Sequence, residues 1–419
     1  MQTGVGCGYG RAASVLMILC ACGSVASAQA QFVACGPAPA GPSGSTKPII
    51  KVVDNTGAVM GVLGNGPFIW TQQNGFQFLP VLNSGYGIVT GTSSDGTVTY
   101  GMNWNIGGSA YPVIWYTRTQ PPTGVPGFPS GWTCYGTFGN EAGTFVNGLL
   151  RQNSSPNPYN TIFWEATAGT SFVSEYPVGM VQAYVADFNA PGTMGVGNSF
   201  GSNGQQAVRW TASGGFEPLG DAPGGTFNSA LISLDANGWR AAGTATPESN
   251  KPTAAVWDPK DGWTVVGLLN PADSGSDLRI DDSGMVGVGQ SGYGSNPLPN
   301  AIMWTVRDGL LSFQEVLEQE YGLDLGGWHL TGAQAISASG QYVAGEGRNP
   351  QGEIQLWFAY IPDFCYADCD WNGTLNIFDY ICFGNHFTQQ DMYANCNSDM
   401  QINIFDYICF GNAYAAGCP

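Results

Sequence analysis

The sequence has few charged residues, few cations and almost no histidine. Lys, Arg, Asp and Glu make up 10% of its 419 residues, with 12 basic and 30 acidic side chains and two histidines. Nucleic-acid binding needs clustered Lys or Arg, and the cations here are scattered singly. Disordered chains combine low hydrophobicity with high charge, whereas the hydrophobic fraction here is 43%. The composition therefore argues against a nucleic-acid partner and against a disordered chain.

Long apolar runs are missing beyond the N-terminus. The run AASVLMILCACGSVA after Arg11 has about the length of a signal-peptide core and is short for a membrane span. Small residues allow cleavage after Ala28 or Ala30. We expect a signal peptide at 1–30, no membrane span, and a secreted or extracellular protein, free or associated with the cell surface. Lipidation at Cys22 is the alternative.

Glycine is abundant, with 62 residues, and the chain repeats itself. Seven short apolar runs end in tryptophan at spacings of 45 to 53 residues, and a glycine-containing turn precedes each run. A unit of about 47 residues with four short strands matches a propeller blade. We predict an all-β, seven-bladed β-propeller over 49–361, after an N-terminal segment at 31–48. The seven tryptophans are Trp70, Trp115, Trp164, Trp210, Trp257, Trp304 and Trp357.

Several details of the propeller follow from the same pattern. The last repeat lacks a fourth strand, and residues 31–36 are expected to supply it and close the ring. Cys35 and Cys134 lie outside the C-terminal cysteine cluster, and a disulfide between them is a further hypothesis. SFQEVLEQEYG predicts a helix capped by Ser312. The tryptophans are expected to pack between blades rather than stack on carbohydrate.

These repeats resemble the bacterial extracellular HAF repeats, most closely over LGGWHLTGAQAISASGQYVAGEGRNPQGEIQLW at 325–357. The resemblance implies an exported propeller and says little about chemistry. It is incomplete, because the His-Ala-Phe element is absent.

Catalytic residues are not evident in the repeats. Paired carboxylates hydrolyse glycosidic bonds, and the propeller offers Asp187, Glu217, Asp281 and Glu346 without a pattern that assigns an acid or a nucleophile. His329 is the only histidine in the repeats, so we expect it to be structural.

The C-terminal segment, 362–419, contains two similar stretches 27 residues apart. Calcium takes six to eight oxygen ligands, which a twelve-residue loop supplies at positions 1, 3, 5, 7, 9 and 12. The first stretch fits this spacing and has Gly373 at position 6, where the loop turns. Its predicted calcium ligands are Asp368, Asp370, Asn372, the carbonyl of Thr374, Asn376 and Asp379.

The second loop fits the pattern less well. It has two formal negative charges, whereas the first loop has three, and Met400 stands at position 6 in place of the glycine. We predict weaker calcium binding there. Its candidate ligands are Asn395, Asn397, Asp399, the carbonyl of Gln401, Asn403 and Asp406.

Two such loops, each ending within the shared stretch NIFDYICFGN, resemble a dockerin of the cysteine-containing planctomycete type. The resemblance implies two short helices and attachment to a cohesin-like protein or a cell-surface scaffold. Positions 10 and 11 carry the partner contacts in that family, and here they are Ile377–Phe378 and Ile404–Phe405. The partner surface should therefore be unusually apolar. Burial inside the module or against the propeller are the alternatives for these helices.

Six cysteines lie in this module. Cys365–Cys418 is the preferred clasp between its ends. The other four repeat at 27 residues, so either intra-repeat pairs or crossed pairs satisfy the internal two-fold; they are Cys369, Cys382, Cys396 and Cys409.

The sequence as a whole favours a secreted, non-catalytic propeller that a calcium-dependent dockerin-like module anchors to a protein partner. The alternative is a polysaccharide-acting enzyme, a glycosidase or a lyase, on the same scaffold. Two carboxylates close together at a channel mouth would favour the enzyme.

Overall fold

The structure, a computed structural model, describes residues 29–417 with short gaps, so residues 1–28 of the predicted signal peptide lie outside it. The gaps are 83–85, 105–107, 127, 129–130, 141–142, 153–158, 166–169, 175, 202–203, 295–297, 363–365, 371–373, 391 and 397–400.

The strands in the described part of the chain form seven four-stranded antiparallel sheets, which confirms the seven-bladed propeller. Blade 1 contains β2 (Pro48–Val53), β3 (Val59–Leu63), β4 (Gly66–Thr71) and β5 (Gly75–Phe78). Blade 2 contains β6 (Tyr86–Thr92), β7 (Thr99–Trp104), β8 (Ala110–Trp115) and β9 (Thr123–Gly124). Blade 3 contains β10 (Trp132–Gly139), β11 (Phe145–Gln152), β12 (Tyr159–Glu165) and β13 (Thr170–Ser174).

The remaining blades follow in chain order. Blade 4 contains β14 (Met180–Phe188), β15 (Met194–Gly201), β16 (Gly204–Thr211) and β17 (Gly215–Gly220). Blade 5 contains β18 (Ala230–Leu234), β19 (Ala241–Ala245), β20 (Thr253–Asp258) and β21 (Gly262–Gly267). Blade 6 contains β22 (Ser276–Ile280), β23 (Val286–Ser291), β24 (Asn300–Thr305) and β25 (Gly309–Ser312). Blade 7 contains β26 (His329–Ile336), β27 (Tyr342–Arg348), β28 (Ile354–Tyr360) and β1 (Gln31–Ala34).

The N-terminal strand closes the ring, as predicted. β1 pairs antiparallel with β28, from Gln31 opposite Tyr360 to Ala34 opposite Trp357. The Phe32 ring lies 5.7 Å from that of Trp328 and 6.4 Å from that of Trp357. The first and last parts of the propeller are therefore held together by backbone pairing and by aromatic packing.

The core lies between neighbouring blades. All seven repeat tryptophans are at most 9% exposed, which confirms that they pack rather than stack on an exposed ligand. Between blades 6 and 7, Trp357 packs with Phe313 from the predicted helix, their rings 5.6 Å apart. That helix, α1 (Phe313–Glu315), continues as a π-helical turn (Val316–Glu320). The Ser312 side chain caps it by accepting from the N–H of Glu315 at 3.4 Å.

The turn between the first two strands has the same hydrogen bonds in all seven blades. Its fourth residue is a glycine with φ between 67° and 81°, which side chains disfavour. The glycine N–H donates to the carbonyl of the first turn residue. The side chain of that first residue is buried and accepts a hydrogen bond from a backbone N–H at, or one residue before, the start of the second strand. These first residues are Asp54, Ser93, Asn140, Asn189, Asp235, Asp281 and Ser337.

The turns also bond to each other across blades. The N–H of Ala190 donates to the carbonyl of Ala236, that of Ala236 to Asp282, and that of Asp282 to Ala338, each at 3.0 Å. The N–H of Ser339 donates to the Asn55 side chain at 2.8 Å and thereby links blade 7 to blade 1. This belt of hydrogen bonds holds one mouth of the channel in shape.

The chain ends in a small helical module. It contains α2 (Ile377–Gln389), a 3₁₀ turn (Met392–Ala394) and α3 (Ile404–Ala416). None of the described helices combines the length and apolarity that a membrane crossing requires.

Candidate metal centre

The two helices of the module begin with identical caps. The Asn376 side chain accepts from the N–H of Phe378 at 2.8 Å, and Asp379 Oδ2 accepts from the N–H of Asn376 at 2.7 Å. In α3, Asn403 and Asp406 make the same pair of contacts. Satisfying free N–H groups at a helix start stabilises the helix. Sequence reasoning read these four residues only as calcium ligands and missed their capping role, which the Asn-x-x-Asp spacing signals.

The structure brings three predicted ligands of the first loop together. Carboxylate oxygens of Asp368, Asp370 and Asp379 all lie within 4.8 Å of one another. Asp379 is fully buried and Asp368 is 7% exposed, whereas Asp370 faces solvent. Three carboxylates this close repel each other unless protons or a cation neutralise them. The cluster therefore has the chemistry of a site for a hard, oxygen-preferring cation.

The remaining positions of the first loop are placed less completely. The Asn376 Nδ2 group donates to the Thr374 carbonyl at 2.7 Å, and a carbonyl oxygen has a second lone pair available for a metal. Asn372 lies outside the described residues.

Among the described residues of the second loop, the Asn395 side chain has an unsatisfied buried atom. Asn395, at position 1, is 5% exposed, and its Oδ1 atom has no hydrogen-bond partner among the described residues. A buried oxygen without a partner is costly, and such atoms usually face a water or an ion. The Gln401 carbonyl accepts from Asn403 Nδ2 at 2.8 Å, as its counterpart does in the first loop. Asn397 and Asp399 lie outside the described residues.

The electrostatics around the first loop are strongly negative. Burial, and then the charges of Asp368 and Asp379, raise the pKa of Tyr393 above its usual value. A second group of potential ligands, Cys369, Cys382 and His386, also lies close together. Its two sulfurs are joined in a disulfide, so they do not supply thiolate ligands.

Each repeat of the module contains its own disulfide. Cys369 pairs with Cys382, and Cys396 with Cys409, so the intra-repeat alternative is correct and the crossed one is not. The proposed Cys365–Cys418 clasp lies outside the described residues.

The hypothesis of a Cys35–Cys134 disulfide is wrong, because both are free thiols. Cys134 is buried on blade 3, and burial raises its pKa to about 11. Cys35 follows the closing strand on blade 7. The ring geometry places the two thiols on different blades, which their spacing in the sequence does not reveal.

The two helices divide their apolar side chains between two surfaces. Phe383 and Phe410 are fully buried and stack with ring centres 4.2 Å apart. Other apolar side chains of the helices, such as Phe387 and Tyr407, are partly buried against this core. Six more are 53–64% exposed, so they are buried neither inside the module nor against the propeller. These six exposed side chains, called here the apolar patch, are Ile377, Phe378, Ile381, Ile404, Phe405 and Ile408.

The candidate carboxylates of the propeller do not converge. Glu217 pairs with Arg209 at 2.5 Å, and Glu346 pairs with Lys47 at 3.6 Å. Asp281 is a buried turn residue that accepts from Ser283 at 2.6 Å. Asp187 lines the channel, together with Asp282, which sequence reasoning assigned only to a turn. The His329 ring bonds the Pro299 carbonyl at 3.0 Å, consistent with a structural role.

No family model matches the sequence, and no curated protein matches it. Among solved structures, an oligogalacturonate lyase in complex with manganese has a TM-score of 0.51 and 13% identity. The match covers 80% of this chain and 97% of the lyase chain. An oligogalacturonate lyase from Vibrio parahaemolyticus has a TM-score of 0.51 and 12% identity, covering 80% and 98%. The propeller domain of the Trilobed protease from Pyrococcus furiosus has a TM-score of 0.46 and 14% identity, covering 74% and 95%. At these identities, the two lyases show that the chain shares the propeller fold and nothing more specific.

Proposed function

We propose that this chain is an exported two-module protein, in which a calcium-stabilised C-terminal module attaches a non-catalytic propeller to a cohesin-like or cell-surface protein. The observation that carries the proposal is the combination, in one small module, of the Asp368–Asp370–Asp379 cluster with the apolar patch. The first feature suits a cation and the second suits a protein partner.

The donor set favours calcium over softer metals. The clustered ligands are carboxylates, and carbonyl and amide oxygens lie nearby in the sequence. Calcium prefers such oxygens, whereas zinc is usually bound through Cys or His. Calcium would also neutralise carboxylates that otherwise repel each other across the start of α2.

The apolar patch supports a protein partner. Each helix contributes Ile-Phe followed by an Ile one turn later, so the two halves present equivalent surfaces. Exposed apolar side chains in contiguous groups mark interaction surfaces. Because Ile377–Phe378 and Ile404–Phe405 belong to opposite repeats, the module offers its partner two related edges.

Export is supported by the disulfides, because such bonds persist in oxidising compartments and are rare in the cytosol. The hydrophobic stretch before Ala28 is the proposed signal.

The proposal is tested by calcium-dependent capture. Immobilised mature chain is incubated with secreted and envelope proteins of its source in calcium, and bound protein is eluted with a chelator. We expect a partner that is released by the chelator and lost with Asp368→Ala. The Phe378→Glu/Phe405→Glu variant should lose the partner but keep calcium binding.

Val265→Glu is the control, because Val265 is an apolar residue of the propeller whose side chain is 39% exposed. Unchanged capture by the Phe378→Glu/Phe405→Glu variant would contradict the proposed partner surface. Calcium binding without any partner would leave the loops as structural supports only.

A polysaccharide-acting enzyme is the second candidate, because Asp187 and Asp282 line the same channel cavity. The backbone N–H groups of Phe188 and Leu234 donate to the Asp187 carboxylate, which favours a structural role for it. The test is release of reducing or unsaturated ends from oligogalacturonate and from neutral polysaccharides. Activity that Asp282→Asn abolishes would establish the enzyme.

A further inference from the structure

The central channel contains a cavity of about 300 Å³ at the mouth where the innermost strands end. Innermost strands from all seven blades contribute to its wall. Two side chains of this wall are cations: Lys51 on β2 and Arg279 on β22. Their blades, 1 and 6, lie on either side of blade 7, so the two cations flank β26.

Cations are scarce in this chain, which has 12 of them and a net charge of −18. Others are neutralised within the propeller, as Arg118 is by Asp54 and Arg307 by Asp308. Lys51 and Arg279 form no ion pair within 4.0 Å and no hydrogen bond with any residue that the structure describes. Two cations on one channel wall without such a partner are therefore available to a ligand.

The two charges influence each other. Lys51 is exposed to the channel, but partial desolvation by the surrounding wall, and then the charge of Arg279, lower the pKa of Lys51 below its usual value. Like charges disfavour each other at short range, and an anion placed between them removes that penalty. The strand between them, β26, has the sequence HLTGAQAI and contributes no acidic side chain.

Three carboxylates lie on or beside this wall: Asp282 lines the cavity, whereas Asp187 is engaged by backbone N–H groups and Asp277 is disfavoured as a charged group. Asp187 Oδ1 accepts from the N–H of Phe188 at 2.9 Å, and its Oδ2 accepts from the N–H of Leu234 at 2.8 Å. Burial raises the pKa of Asp277, which precedes Arg279 on β22, while Arg279 opposes that shift. Burial also raises the pKa of Tyr184 on the same wall, while a hydrogen bond with the Asn198 side chain opposes that shift.

We propose that this cavity binds a small oxyanion, a carboxylate or a phosphate, between Lys51 and Arg279. The planar guanidinium suits two oxygens of one anion, and the ammonium adds a point charge. The hydrogen-bond belt around the mouth holds the blades that carry the two cations in fixed positions. This binding site is independent of the calcium module and of its partner.

The experiment is a calorimetric titration of the full mature chain with inorganic phosphate, with D-glucuronate and with uncharged D-glucose. We expect binding of at least one anion and none of glucose. Binding of phosphate but not glucuronate would indicate a phosphate-bearing ligand. Binding of glucuronate but not phosphate would indicate a carboxylate-bearing ligand. Hydrogen bonds to charged groups are strong enough that Lys51→Ala and Arg279→Ala should each weaken binding about tenfold or more.

Lys47→Ala is the matched control, because Lys47 is exposed and pairs with Glu346 beside a different cavity. It should bind the anion as the parent does. Arg279→Lys keeps the charge but loses the planar fork, so it should bind more weakly than the parent and more tightly than Arg279→Ala. If Arg279→Ala does not fold, Lys51→Ala and Arg279→Lys carry the comparison. The proposal is overturned if neither anion binds, or if Lys51→Ala and Lys47→Ala bind equally well.

Discussion

Tyr366 and Tyr393 exchange hydrogen bonds: each phenol donates to the other's backbone carbonyl, at 2.6 and 2.7 Å. The two residues are 27 apart, so they are equivalent positions of the two repeats and lie about the internal two-fold of the module. Burial raises the pKa of both phenols above the usual range. Both therefore remain donors, and the reciprocal contact joins the two loops that precede α2 and α3.

Removing one of these donors should weaken the module. Tyr366→Phe leaves a largely buried carbonyl without its partner, which typically costs about 1–2 kcal/mol of unfolding free energy. Tyr393→Phe should have a similar effect because its contact is equivalent. Chemical denaturation followed by near-ultraviolet circular dichroism measures both. Tyr116→Phe is the control at an exposed tyrosine. Equal stability of all three variants would show that the exchange contributes nothing.

Calcium should raise the unfolding temperature of the module in the full chain. A ligand that binds only the folded form stabilises it progressively as its concentration rises. Asp368→Ala should abolish most of the rise, and Asn395→Ala should reduce it less, because the second loop has fewer charges. Differential scanning calorimetry over a calcium series gives the comparison. Asp261→Ala, at an exposed propeller turn, should respond as the parent does; an unchanged response of Asp368→Ala would refute the loop assignment.

The closing strand should contribute measurably to propeller stability. Phe32→Ala removes ring contacts with Trp328 and Trp357. Buried Phe→Ala changes cost 3–5 kcal/mol, and about 2 kcal/mol is expected here because Phe32 is half-buried. Phe78→Ala, at a ring 43% exposed on the edge strand β5, should cost less. Urea denaturation distinguishes them, and equal losses would mean that the ring contacts of Phe32 contribute no more than those of an exposed edge-strand residue.

The module should be separable from the propeller. Two described contacts join them: the Lys260 ammonium donates to the Gln390 carbonyl at 2.5 Å on an exposed surface, and a single partly buried propeller side chain, Met285, packs against the module's core. Exposed polar contacts contribute little to stability. Deleting 363–419 should therefore lower the propeller's unfolding temperature by no more than about 2 °C. A large decrease would instead make the module a cap that the propeller needs.

Asp281 should make the propeller less stable as the pH rises. Burial raises its pKa from 3.8 to about 6, so the folded form holds the proton more tightly than the unfolded chain. The unfolding free energy then falls between about pH 4 and pH 6, by roughly 2–3 kcal/mol from this group. Asp281→Asn should flatten that part of the profile.

The same turn position is already Asn in blades 3 and 4, at Asn140 and Asn189, so the substitution suits the turn. Denaturation at pH 4, 5, 6 and 7 measures the stability difference between variant and parent. That difference should shift in the variant's favour as the pH rises. Asp95→Asn should show the opposite trend, because hydrogen bonds from Thr97 and Ser93 lower the pKa of Asp95. Parallel profiles for Asp281→Asn and the parent would show that Asp281 does not titrate in this range.

Local, repeated features were readable from the sequence. The tryptophan spacing predicts seven blades because each unit must bury the same face against its neighbour. The turn glycines are recognisable because a positive φ is needed at that position whatever surrounds it. The carboxylates of Asp368 and Asp379 lie close together because they are the first and last positions of one twelve-residue loop. The local geometry of that loop and of the helix that begins in it determines where they lie.

Long-range placement was decided by the tertiary structure. The sequence suggests pairing Cys35 with Cys134 because both lie outside the C-terminal cysteine cluster, and only the ring assigns them to separate blades as free thiols. The uniformly apolar helices IFDYICF do not indicate which side is buried, and the two-fold packing of Phe383 on Phe410 decides that Ile377 and Phe378 stay exposed.

The two cations of the channel are a further case in which the sequence does not reveal which residues lie close together. Lys51 and Arg279 are 228 positions apart and lie in unremarkable strand sequences. They reach one cavity because closing the ring brings blades 1 and 6 to either side of blade 7. Short-range interactions depend on neighbours in the chain and so can be read from the sequence. Convergence of side chains from different blades depends on the number of blades and on how the ring closes, and that is a property of the whole fold.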